Sequence, residues 1–276
     1  MKTWFITGAS RGLGLATARA ALEAGDQVVA TARHPAKIST SLSDYEDRLL
    51  TLSLDVTAPC AAQAAVESAI ARFGRVDILV NNAGYGQLGA FEETSKEDIE
   101  AQFATNVFGV FNVTRAVLPV MRAQKAGHIL TVSSTAGLVG MDGVSIYCAT
   151  KFAVAGWSEA LSLELAQFNI HATVVHPGGF RTDFLEASSI KYGEVEIEDY
   201  HATSSQRRQR LDAYNQQQPG DPQKFGHAMV ELSRAVTPPA RFVVGSDSYN
   251  VLQEKLESVQ RDAQAWKKLS ISTDFQ

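Results

Sequence analysis

The sequence predicts a single doubly wound α/β domain, a parallel sheet with helices on both faces, and three observations lead there. Short β-branched runs alternate with longer helical stretches along the chain. A glycine-rich turn follows the first strand directly. No linker, internal repeat or low-complexity tract divides the 276 residues, so residues 1–276 read as one domain.

Strands are expected at 3–7, 27–32, 49–54, 76–80, 128–133, 171–175 and 241–244. Most are short apolar runs, as strands covered on both faces should be. Helices are expected at 12–24, 61–73, 95–124, 146–167 and 222–234. Thr94-Ser95-Lys96-Glu97 fits a capping box opening the 95–124 helix. Pro119 inside that helix should bend it or loosen its last turn. Gly74 and Gly127 stand just past helices, where a left-handed residue is often required. Residues 184–220 are polar and carry Gln206-Arg207-Arg208-Gln209-Arg210. That charge run reads as a solvated helix face, and the segment's place after the sixth strand makes it a candidate lid. Residues 247–270 should form a C-terminal helix, whose stripe of Leu252, Leu256, Val259, Ala263 and Trp266 reads as ordinary packing.

Composition narrows the function. Net charge is −5, with 45% hydrophobic and 20% charged residues, so a globular chain without an electrostatic footprint for nucleic acid or an anionic membrane is expected. Cys60 and Cys148 cannot build a disulfide framework or a multi-cysteine zinc site. Cys148 reads as a packed helix residue. His34, His171 and His176 lack metal-ligand spacing, so no metal is expected. His176 reads as a loop residue. No uninterrupted apolar run reaches membrane-spanning length, and glycine at position 8 interrupts any signal-peptide core. A cytoplasmic protein is expected.

The first strand runs into Thr7-Gly8-Ala9-Ser10-Arg11-Gly12-Leu13-Gly14. Glycines in such a turn permit close backbone approach to a pyrophosphate, which the free N–H groups and positive end of the following helix attract. Enzymes using NAD usually place an acid about 20 residues on, to hold the ribose 2′-hydroxyl. No acid occurs between Gln27 and Lys37, and Arg33 ends the second strand. Arg33, with Arg11 in the turn, suits a 2′-phosphate, so NADP(H) is expected rather than NAD(H).

Tyr147 and Lys151 are four residues apart and share a helix face. With 7 Tyr and 25 Lys+Arg in 276 residues, about 0.6 such pairs arise by chance, so the pair alone is a weak signal. Ser134 lies at the end of the fifth predicted strand, where open α/β sheets place ligands. Serine, tyrosine and a neighbouring cation together suit carbonyl chemistry: the phenol passes a proton, the ammonium lowers its pKa, and the serine holds the oxygen.

With these residues the chain resembles the short-chain dehydrogenase/reductase family, over residues 2–184. Thr7 to Gly14 is similar to the family's cofactor turn. Asp55-Val56 matches the acidic segment that contacts adenine, and Asn81-Asn82-Ala83-Gly84 the motif beside the adenosine. Asn106, Ser134, Tyr147 and Lys151 match the catalytic tetrad. His176-Pro177-Gly178-Gly179-Phe180-Arg181-Thr182 resembles the loop bordering the nicotinamide, with Thr182 at the carboxamide position. The resemblance implies a Rossmann-type sheet of about seven strands in the order 3-2-1-4-5-6-7. It further implies hydride transfer between a nicotinamide and a carbonyl or alcohol, with Tyr147 as proton donor, Ser134 on the substrate oxygen and Lys151 on the ribose. Asn106 would hold a water that links Lys151 to solvent. A homodimer or homotetramer through the 95–124 and 146–167 helices is implied as well. Two alternatives remain, a nicotinamide-dependent epimerase or dehydratase and a cofactor-sensing protein without chemistry. Leu138, Met141, Val144, Phe184 and Leu185, with Ser134 and Tyr147, suggest an apolar substrate pocket that fits steroid, retinoid, acyl or aromatic carbonyls equally.

Overall fold

Alternating side chains of each strand point to opposite faces, so a strand apolar throughout must be covered on both sides. The computed structural model describes residues 1–187, 189–193 and 195–275, and it builds the sheet on that principle. In chain order the elements are β1 (Thr3–Thr7), α1 (Gly12–Glu23), β2 (Gln27–Ala32), α2 (Ala36–Ser41), β3 (Leu49–Ser53), α3 (Pro59–Phe73), β4 (Ile78–Asn81), β5 (Gly86–Leu88) and α4 (Lys96–Phe103). There follow α5 (Gly109–Gln124), β6 (Gly127–Val132), α6 (Ser145–Leu165), β7 (Ile170–Pro177), β8 (Ile190–Tyr192), α7 (Glu198–Tyr214), α8 (Pro222–Arg234), β9 (Arg241–Val244) and α9 (Ser246–Ile271).

Seven strands form one parallel sheet in the order β3-β2-β1-β4-β6-β7-β9. Counted within that sheet, this is the order 3-2-1-4-5-6-7. Trp4 and Ile6 of β1 face a core shared with Leu22, Phe225 and Met229 from α1 and α8. Phe5, between them, joins Leu79, Val113, Val117 and Met121 on the opposite face. β5 and β8 pair separately and in parallel, a contact across about a hundred residues that short-range patterning does not reveal.

Several local expectations are corrected. The cap of α4 is Ser95, whose hydroxyl accepts the Asp98 N–H at 3.1 Å, one residue later than Thr94-Glu97 implied. Helix α5 continues through Pro119 to Gln124, and a π turn, Ala104–Phe108, lies between α4 and α5. Gly74 is left-handed as expected (φ +76°). After α5, however, Lys125 takes that conformation (φ +52°), and Gly127 opens β6 against the Met121 side chain. His176 is a buried residue of β7, not of a loop.

The run Lys96–Gln124 has a window of mean hydropathy 1.2, long and apolar enough on those grounds to cross a membrane, although polar residues interrupt it. Its apolar residues Val113, Val117 and Met121 lie against the sheet. On α9, Leu256, Val259, Ala263 and Trp266 are exposed, so the stripe is not ordinary packing.

Where β6 meets β7, His128 is buried with Nε2 2.9 Å from the Thr173 hydroxyl and its ring edge-on to His171. Burial, aided by the charges of His171 and Lys2, pushes its pKa down to about 3. The unfolded chain therefore binds a proton between pH 6.5 and 3 that the native state refuses. Stability should fall through that window with a slope of up to about 1.4 kcal/mol per pH unit from this group. Urea titrations between pH 7 and 4 should show His128→Asn with a shallower acid limb.

Candidate active site

Parallel pairing delivers the carboxyl ends of β1, β2, β4, β6 and β7 to one edge of the sheet, where a cleft of about 520 Å³ opens. On its floor the Thr7 hydroxyl accepts the N–H groups of Asn82 and Ala83, both at 3.0 Å. The Asn82 amide in turn donates to the carbonyls of Thr7 and Gly8. This clamp holds the glycine turn against the end of β4. Gly8 is left-handed (φ +66°), and a Cβ there would stand 2.8 Å from the Ala83 Cα. Gly14 lies behind the cleft, where a Cβ would strike the Gly8 carbonyl and the Asn82 amide.

Gly12 opens α1, preceded by Arg11, whose side chain makes no cap bond to the first N–H groups among the described residues. Gly8, Ser10, Arg11, Gly12 and Leu13 line the cleft, so the positive end of α1 faces it. That is a cradle shaped for an anion such as a pyrophosphate. Arg33, exposed, lines the same rim at the end of β2. Beside it Asp55 accepts the Thr57 N–H and hydroxyl at 2.9 and 2.8 Å. Those bonds hold the carboxyl below its ordinary pKa, with the Arg33 charge contributing. Val56, Ala83 and Gly84 complete this part of the lining.

Beyond β6, Ser134 presents its hydroxyl to the Ala136 N–H at 3.1 Å and lies close enough to the Tyr147 phenol to lower its pKa. Helix α6 carries Tyr147 and Lys151 one turn apart, with Nζ 5.6 Å from the phenol ring centroid. The Lys151 ammonium donates to the Val132 carbonyl at 2.9 Å and is buried. Burial pushes Tyr147 up to about 12, against the lowering pull of the nearby Ser134 hydroxyl, and pushes Lys151 down to about 8. The expectation that the lysine depresses the phenol is thus corrected: among the protein's own groups, desolvation dominates. A phenol so placed can give a proton to an oxygen held at Ser134 across the neutral range.

Asn106 sits in the π turn, buried. Its carbonyl accepts the Tyr85 N–H at 3.1 Å, while its amide donates to the Tyr85 carbonyl (2.9 Å) and the Thr150 hydroxyl (3.2 Å). Both amide hydrogens are therefore committed to protein partners. The side chain locks the loop after β4 to the start of α6, a role the sequence position alone did not show. His176 Nδ1 lies 2.9 Å from the Ser134 carbonyl and braces that strand end.

The far wall is the loop after β7. Gly178 N–H bonds the Val244 carbonyl and Gly179 N–H the Asp247 carboxylate at 2.7 Å. Pro177, Gly178, Phe180 and Thr182 line the cleft, and the Thr182 side chain lies beside Gly12. Phe184 stands 6.0 Å from Tyr147, ring to ring. Leu138, Met141 and Val144 do not line the cleft, because the chain leaves it after the turn Thr135–Gly137, and Met141 is exposed. Apolarity alone did not reveal that direction. Leu185, also expected in the pocket from the sequence, does line the cleft, and Tyr85, Lys191, Tyr214 and Gln218 join it there. Tyr85, next to Asn81-Asn82-Ala83-Gly84, was legible in principle; Lys191 depends on the β5–β8 pairing and was not.

Within residues 184–220, of which Ser188 and Glu194 lie outside the described residues, the arginine run is not simply solvated. Arg207 is mostly buried and bonds Asp142 at 3.0 Å, and Arg208 lies 4.4 Å over the Tyr192 ring.

Comparison with known proteins agrees with this arrangement. A family model described as short chain dehydrogenase matches residues 2–193. Oxidoreductase BOA17 of Botryotinia fuckeliana is 39% identical over 99% of both chains. A 3-ketodihydrosphingosine reductase of Bacteroides thetaiotaomicron is 39% identical over 87% of this chain and 86% of its own. The crystal structure of a short-chain dehydrogenase from Streptomyces avermitilis superposes with a TM-score of 0.91, at 38% identity over 99% of this chain and 100% of that one. Other chains of like fold have been solved with NADH or with NADP+.

The buried ammonium carries a stability cost. Lys151 has a folded pKa of about 8 against 10.5 for the free side chain. Below pH 8 both states are charged and the native state bears the desolvation; between pH 8 and 10.5 the native state loses its proton first and the penalty fades. Lys151→Met should therefore unfold at higher urea than the parent at pH 7, by at most about 3 kcal/mol. That advantage should shrink as pH rises to 10, which paired urea titrations will test.

Proposed function

Because the chain belongs to the short-chain dehydrogenase/reductase family and is an oxidoreductase of that family, we propose that it uses NADP(H) to interconvert a ketone and a secondary alcohol on an apolar substrate. The observation that carries this reading is the convergence of Ser134, Tyr147 and Lys151 on one cleft, Tyr147 one turn from Lys151, opening onto a wall of Phe184, Leu185 and Tyr85. The cofactor, when bound, supplies or accepts the hydride. The first turn of α1 holds its pyrophosphate, Asp55 and Val56 border its adenine, and Phe180 and Thr182 flank its nicotinamide end. Lys151 reaches its ribose.

Tyr147, protonated at neutral pH, hands its proton to the alkoxide oxygen that Ser134 holds. Phe184, Leu185 and the other described residues of 184–220 that line the cleft act as a lid that keeps water from this oxygen. Arg33 and Arg11 favour the 2′-phosphate, since a guanidinium pairs well with it and no carboxylate replaces Arg33 at the strand end. The apolar wall and the Bacteroides relative, named for a long-chain ketone, support such a ketone as the first substrate to assay. Exposed Phe152 and Leu163 on α6 support a homo-oligomer formed across that face.

Tyr147→Phe keeps the ring and removes the proton, so turnover should drop by at least ~10²-fold with little change in NADPH affinity. Steady-state kinetics beside a fluorescence titration of NADPH give both quantities, and near-normal turnover would exclude the tyrosine as proton donor. Arg33→Ala should weaken NADPH by roughly tenfold or more and leave NADH almost unaffected, in keeping with loss of a charge-assisted hydrogen bond. An unaltered protein that binds NADH more tightly than NADPH would remove the cofactor assignment.

A further inference from the structure

Among the described residues, helix α9 is held to the body at its root. Asp247 holds the Gly179 N–H, and buried Ser248 donates to the His176 carbonyl at 3.1 Å. From Val259 to Phe275 every residue is exposed. Along this helix Tyr249, Leu252, Leu256, Val259, Ala263 and Trp266 recur at steps of three and four, the spacing of a coiled-coil seam. Tyr249, Leu256, Val259 and Trp266 are 56%, 55%, 50% and 65% exposed. An isolated helix surface of this length and apolarity, about 26 Å from the first to the last of these residues, is not stable packing against water.

We propose that α9 pairs antiparallel with α9 of a second copy of this chain, about a two-fold axis passing between Glu257 and Ser258. In that register Tyr249 meets Trp266 of the partner, Leu252 meets Ala263, and Leu256 meets Val259, each layer occurring twice by symmetry. Lys255 and Asp262 flank the seam at equivalent heptad positions. Among the described residues neither is in an ion pair within its own chain. The same register places Lys255 opposite Asp262 of the partner, again twice. Sliding by one heptad would oppose Asp262 to Asp262 and Lys255 to Leu269. Parallel pairing would stack Trp266 on Trp266 and Ala263 on Ala263 and leave Lys255 against Gln260. Charge and side-chain size thus favour one arrangement. The interface is separate from the α6 face and does not depend on the cofactor or substrate reading.

Sedimentation velocity of the full chain tests this. Leu256→Glu/Val259→Glu should halve the mass of the assembly while circular dichroism and NADPH binding stay as in the parent. A monomeric parent, or an unchanged mass in the variant, would overturn the pairing. Lys255→Glu and Asp262→Lys should each raise the dissociation constant roughly fivefold or more, since each reverses two ion pairs. Combined, they should restore the parental value. If the combined variant associates no better than the single ones, the antiparallel register is wrong.

Discussion

The Thr7 hydroxyl, at the end of the first strand, receives two backbone N–H groups from the end of the fourth, and the rim of the cleft depends on that junction. It ties the glycine turn to the loop carrying Asn82, Ala83 and Gly84, so the start of α1 faces the same space as that loop. Asn82 completes the joint by donating to two carbonyls of the turn. A buried carbonyl or N–H left alone costs about 1–3 kcal/mol, so such reciprocal pairing is what allows a tight turn at a buried strand end. Gly8 and Gly14 follow from it, because a side chain at either would push the two loops apart.

A second junction governs the chemistry. Asn106 binds both backbone groups of Tyr85 and reaches Thr150, one residue before Lys151. The loop after β4 and the helix bearing the phenol and the ammonium are thus held to each other through one amide. Burial then acts on the two titratable groups in opposite senses, raising the phenol and lowering the ammonium, since both shifts favour the neutral form. The site keeps a proton on Tyr147 at the expense of stability at Lys151, a cost that functional sites commonly carry.

The segment over the cleft is fixed by contacts remote in sequence. β8 adds to β5, Arg207 reaches back to Asp142, and Arg208 covers Tyr192. These attachments set the Phe184 ring beside Tyr147 and bring Lys191, Tyr214 and Gln218 to the wall. The root of α9 meets the opposite wall, with Asp247 and Ser248 tied to Gly179 and His176. His176 in turn braces the Ser134 carbonyl. The C-terminal helix is therefore joined to the strand end that carries the serine, although most of its length lies away from the body.

By itself the sequence determined the parallel sheet and its helices, the glycine turn, and the residues Ser134, Tyr147, Lys151 and Asn106. Except for Asn106, which only the resemblance to the family supplied, those features are encoded in local signals: apolar runs without alternation, glycines at a strand end, and a four-residue step along a helix. Tertiary structure alone decided which side chains face one another. It moved Leu138, Met141 and Val144 out of the cleft and brought Lys191 in, because a strand pairing across about a hundred residues has no short-range signature. It placed a π turn, Ala104–Phe108, within the long helix, and from that turn the Asn106 amide reaches the Tyr85 carbonyl. It also reversed the expected shift at Tyr147, since desolvation depends on the atoms packed around a group and not on the charge one turn away.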